Sequence, residues 1–85
     1  MYSVDMGNVF LFRSARFMIR TKDHRPPHVH VIRGDCEAKL EIENGEIIWS
    51  EGFSRNDLRR ITEVVVARKV LLLEAWDEIH KEKKG

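Results

Sequence analysis

Two dipeptides constrain this chain more than any other feature. Gly34-Asp35 and Asn44-Gly45 both match the two-residue connections of β-hairpins, Asn-Gly being the stronger signal. If each is a two-residue loop, counting outward fixes the pairing. Around Gly34-Asp35, Val31 faces Ala38, His30 faces Lys39, Val29 faces Leu40 and His28 faces Glu41. Around Asn44-Gly45, Ile42 faces Ile47, Glu41 faces Ile48 and Leu40 faces Trp49. Opposed residues share a face. One face then collects Val29, Val31, Ala38, Leu40, Ile42, Ile47 and Trp49, which is a core. The other collects His28, His30, Ile32, Glu37, Lys39, Glu41 and Ile48. A slip of one residue in either hairpin would mix the two sets.

The flanks extend this meander. Residues 9–13 and 16–20 are short, aromatic and branched, and read as strands joined at Ser14-Ala15. Residues 21–27 form a polar loop, because Pro26 and Pro27 cannot donate to a ladder. After Gly52-Phe53, Ser54 is a helix N-cap with Asp57 three residues on. From Arg55 to Lys81 there is no Gly or Pro. Leu58, Ile61, Val65, Leu72, Trp76 and Ile79 recur on one helical face. Arg68 interrupts that stripe, and one straight helix here would be about 40 Å long. The expected fold is therefore α+β. A small antiparallel sheet of four to five strands, a β-meander over about 9–50, packs on one long or kinked C-terminal helix over about 54–81. A frayed tail follows. Eighty-five residues make one domain, spanning 1–85, with a single thin core.

The net charge of +1 hides an uneven layout. Residues 1–33 hold six basic and two acidic side chains, residues 34–51 one and six, and residues 52–85 eight and six. A cationic third thus stands beside an acidic hairpin, and overall charge gives no warrant for non-specific nucleic-acid binding. One cysteine, Cys36, excludes an internal disulfide and fits a reducing compartment. No apolar run reaches the ~20 residues of a membrane helix, and no signal-peptide core is present. The expectation is a cytoplasmic protein with no membrane association.

The densest chemistry is Asp23-His24-Arg25-Pro26-Pro27-His28-Val29-His30. His28 and His30 are two apart on a strand, so both imidazoles leave one face. Three chemistries can use them. His28 and His30 can act as general base and acid in RNA phosphodiester cleavage, with Glu41 as orienting carboxylate. Arg20, Lys22, Arg25 and Arg33 would then bind phosphate. Alternatively, His28 and His30 with His24 or Glu41 ligate a divalent transition metal. In the third reading the cluster is structural, its histidines capping a loop by hydrogen bonds, and no cofactor is involved.

Elsewhere, Val66, Val70 and Leu73 form a second apolar stripe at i, i+4, i+7, the signature of a helix with two partners. It marks an interface with a small partner protein or a second copy of the chain. Arg55, Arg59 and Arg60 oppose the helix N-terminal dipole and are either a phosphate contact or a solvated face. Glu43 and Glu46 should oppose each other on the hairpin. His80 reads as incidental at a helix end, and Trp49 and Trp76 as core anchors.

Together, His24-Arg25-Pro26-Pro27-His28-Val29-His30-Val31, Glu37-Ala38-Lys39, Gly52-Phe53-Ser54, Leu58-Arg59-Arg60-Ile61 and Leu72-Leu73-Glu74-Ala75-Trp76 resemble a family of small, mostly bacterial proteins, domain of unknown function 4160. Members commonly carry glycines in the first hairpin, where this chain has Ser14-Ala15. The resemblance brings no established activity and assigns no catalytic residue. Genes of this kind tend to lie beside another small gene, an arrangement like a toxin–antitoxin pair. What it implies is a cytoplasmic protein with a protein partner and a nucleic-acid target, which the histidine-rich region would make RNA.

Overall fold

The computed structural model describes residues 6–81, with side chains from Val9 onward. Five strands run β1 (Met6–Phe12), β2 (Ala15–Arg20), β3 (His28–Arg33), β4 (Cys36–Glu41) and β5 (Ile47–Glu51). Two helices follow, α1 (Arg55–Ala67) and α2 (Lys69–His80). The strands form one antiparallel sheet in sequence order, a meander. The fraying expected beyond Lys81 concerns residues outside the described range.

The β3–β4 ladder has the counted register throughout: Val31 opposes Ala38, His30 Lys39, Val29 Leu40 and His28 Glu41. Gly34 supplies the left-handed backbone this turn needs, with φ of 59°. The first hairpin turns one residue earlier than expected. Its loop residues are Arg13 and Ser14, with φ of 51° and 69°, and Ala15 already pairs with Phe12. Two successive left-handed residues are what a tight primed turn demands, here without glycine.

The β4–β5 hairpin departs from the expected register. Leu40 opposes Ile47 and Lys39 opposes Trp49, with Ile48 bulged between. The cause is Ile42. Its side chain is fully buried, and its N–H donates to the Pro27 carbonyl at 3.0 Å. Held there, it cannot pair with Ile47. The loop lengthens to Ile42–Gly45, closed by Glu41 N–H to Glu46 carbonyl and Gly45 N–H to Glu41 carbonyl, each 2.9 Å. The Asn44 side-chain oxygen accepts from the Glu46 N–H at 2.9 Å. The bulge turns Trp49 onto the outer face beside Lys39, where it is 42% exposed rather than a core anchor. Ile47 is also largely exposed. Glu43 and Glu46 do not oppose each other, and Glu43 pairs with Lys69 at 3.2 Å.

Phe17, Ile19, Val29, Val31, Ala38, Leu40 and Ile42 form the sheet side of the core. Ile61, Val65, Leu72 and Trp76 close it from the helices. Ser54 caps α1, its hydroxyl accepting from the Asp57 N–H at 3.0 Å. The helical segment breaks at Arg68, whose φ and ψ of −109° and 28° leave the helical well. Hydrogen bonding nearly continues through the break, from Arg68 N–H to Val64 carbonyl and Leu72 N–H to Arg68 carbonyl, both 2.9 Å. The Arg68 guanidinium lies 4.9 Å from the centre of the Phe10 ring, which explains a cation within an apolar stripe. Among the described residues no helix is long and apolar enough to cross a membrane.

Gly34 and Gly45 separate two costs. Both have positive φ, but a Cβ on Gly34 would meet nothing within 4 Å, whereas on Gly45 it would lie 2.8 Å from Val66 Cγ2. Gly34→Ala should lose about 1 kcal/mol from backbone strain alone. Gly45→Ala should lose roughly 1–2 kcal/mol or more, because Val66 must also move. Urea unfolding checks the order; equal losses would mean that the Gly45–Val66 contact gives freely.

Candidate metal centre

Strand alternation sends Val29 and Val31 to the core and His28 and His30 to the opposite face. Both histidines are nevertheless only 5% exposed. The loop after β2 closes over them. Its turn is tied by Asp23 N–H to the Arg20 carbonyl at 3.2 Å and by Arg20 N–H to Asp23 Oδ2 at 3.2 Å. This pair of bonds fixes the Asp23 carboxylate against the imidazoles. Asp23 Oδ2 lies 3.2 Å from His28 Nε2 and 3.3 Å from His30 Nε2.

The proton on His28 can be placed by chemistry. Nδ1 lies 2.9 Å from the Pro26 carbonyl oxygen, which can only accept, so Nδ1 carries the hydrogen. In the neutral ring Nε2 is then a bare lone pair facing a carboxylate. Neither Nε2 of His28 nor either nitrogen of His30 makes a well-aligned hydrogen bond, though all are shut off from water. Their carboxylate neighbours are within ion-pair reach but off the hydrogen-bonding line. The second carboxylate, Glu37 Oε2, is 3.7 Å from His30 Nδ1 and 3.8 Å from Arg20. Burial, and then the Arg20 charge, hold the His30 pKa below its ordinary value, against the opposing pull of Asp23. The pocket therefore favours neutral imidazole at His30. One donor atom from each of Asp23, His28 and His30 falls within 4.8 Å of the others. Two imidazoles and one carboxylate are a donor set for zinc or ferrous iron.

Several expected site residues stand elsewhere. Glu41 opposes His28 in the ladder, but the polar groups beside that imidazole are Asp23 and the Pro26 carbonyl. His24 is exposed on the loop surface. Arg33, at the far end of β3, pairs with Asp57 at 2.7 Å and lies over the Phe53 ring, holding the Asp57 carboxyl below its usual range. Arg20 is engaged with Glu37. Lys22 and Arg25 remain together, lining two clefts on either side of the 22–25 loop. His80 does more than end a helix: its ring stacks 4.0 Å from Trp76, and Trp76 is 5.4 Å from His28. Val66 and Val70 are exposed, whereas Leu73 is partly buried against the core.

Asp23 is the residue that sequence reasoning passed over. Its only local signal is the three-residue spacing from Arg20, which suits a side-chain-closed turn. Its meeting with His28 and His30 depends on how the loop folds back.

A family model covers residues 15–77, from the start of β2 through most of α2. Both histidines, Asp23 and the whole β2–β5 sheet fall within it. No curated protein and no solved structure matches the chain. On the matched span, the chain belongs to the family described as domain of unknown function (DUF4160).

Proposed function

We propose that the protein binds a divalent transition metal ion through Asp23, His28 and His30. The observation that carries this reading is the buried convergence of His28 Nε2 and His30 Nε2 on one carboxylate oxygen, Asp23 Oδ2, at 3.2 and 3.3 Å. With His28 in its neutral Nδ1–H form, Nε2 and the carboxylate are both acceptors and repel each other unless a cation lies between them. A metal ion also uses His30 Nε2, which lies beside the same carboxylate without an aligned hydrogen bond. The Pro26 carbonyl supplies the outer-shell contact that fixes the tautomer of a ligating histidine. Three protein ligands leave a position for water or another group, as in catalytic rather than purely structural zinc sites. The acid–base reading of His28 and His30 in RNA cleavage draws little support, because the imidazole nitrogens that would move the proton are covered even though His28 borders a cleft. The gene-pair reading rests on the family resemblance alone.

Calorimetric titration of metal-free protein with zinc should give one site per chain. His28→Ala and His30→Ala should each weaken it at least about tenfold, the lower end of what even an outer-shell change costs. Glu41→Gln should leave it unchanged. Circular dichroism checks that the variants fold. No uptake by the wild type, or uptake indifferent to both histidine substitutions, removes the reading.

A second reading concerns the helices. Val66 and Val70 are 54% and 68% exposed, with Leu71 beside them. We infer that this ridge pairs with a second copy of the chain. Light scattering should find a wild-type dimer that Val70→Glu converts to monomer; a wild type monomeric at all concentrations ends this reading.

A further inference from the structure

Four cations of the described chain are engaged with carboxylates. Arg20 pairs with Glu37, Arg33 with Asp57, Lys69 with Glu43 and Lys81 with Glu78. Of the described cations that hold no such pair, Lys22, Arg25 and Lys39 fall together. These three converge on one cleft of about 300 Å³ at the outer face of the sheet. Asp23 is the single carboxylate lining it, and His28 forms part of the same wall. The cleft therefore borders two of the three residues assigned to the metal, and Asp23, 14% exposed, is the one it reaches more openly.

We infer that this cleft binds a phosphate group, held by Lys22, Arg25 and Lys39, with one phosphate oxygen taking the metal position that the protein leaves open. The inference rests on the metal reading above and names the ligand class of that site. Three unpaired cations crowded into one concavity repel one another, and a multiply charged anion relieves that repulsion. With Asp23 committed to the metal, no acidic side chain of the cleft remains to do so. The Arg25 guanidinium suits the planar, two-pronged recognition of phosphate, and Lys22 and Lys39 add point charges. The volume fits a phosphate group or a small monoester. Ile48, on the same wall, offers an apolar contact for the ester substituent.

Cobalt-loaded, desalted protein provides the test, because its visible absorption reports on the ion's ligands. Cobalt uptake itself tests the metal reading. Inorganic phosphate and phenyl phosphate, titrated separately at low and stated salt, then test the cleft. Both should change the cobalt spectrum saturably, and tighter binding of phenyl phosphate would identify an ester as the natural form. Lys22→Ala combined with Arg25→Ala should weaken phosphate at least about tenfold, as expected for losing two charge-assisted contacts. Cobalt uptake by that double variant should be unchanged. Cobalt bound with no spectral response to either phosphate overturns this inference and leaves the metal reading intact. The inference also falls if phosphate binds equally to wild type and double variant. It falls as well if a dinucleotide phosphodiester binds more tightly than either monophosphate.

Discussion

Burial of both faces of β3 is the constraint on which the rest of this protein depends. Val29 and Val31 are buried in the core on one side, and His28 and His30 are buried on the other, with Asp23 of the 21–27 loop against both and Trp76 beside His28. A strand with two dry faces cannot slip by a residue without exchanging valines for imidazoles. That exchange would place polar nitrogens in the core and apolar branches against Asp23. The alternation at 28–31 thus sets the register of β3 against β4, and through it the position of every candidate ligand.

The parts of the fold legible in the sequence are those governed by local rules. Gly34-Asp35 set the β3–β4 pairing, and Ser54 and Asp57 marked the start of α1, because turn and cap chemistry act over a few residues. The β4–β5 register was not legible. It turns on a bond from Ile42 to the Pro27 carbonyl, fifteen positions away in the chain, that no hairpin count includes. The same holds at the site. His28 and His30 stood out by spacing, but their carboxylate was expected from the facing strand, at Glu41. It comes instead from Asp23, through the folding of an irregular loop. Arg68 is a third case: its place in the apolar stripe makes sense only once the Phe10 ring lies beneath it.

The uneven charge along the chain is resolved in part by pairing in space. The acidic hairpin supplies Glu37 to Arg20 and Glu43 to Lys69, so it neutralises cations from both ends of the sequence. A net charge near zero is therefore compatible with a small, strongly positive concavity. What matters for binding is the residue left over at one place, here Lys22, Arg25 and Lys39 around Asp23.

All three assigned ligands lie between positions 23 and 30, a span of eight residues. Closing so short a loop costs little chain entropy, so an unfolded chain can also gather these donors around an ion. Metal would then bind the denatured state as well as the native one, and its effect on the folding equilibrium would be smaller than its affinity suggests. The same short chelate would draw the 21–27 loop toward the start of β3 before the sheet exists. In that way a bound ion would help to organise the β2–β3 connection rather than merely occupy a finished cavity.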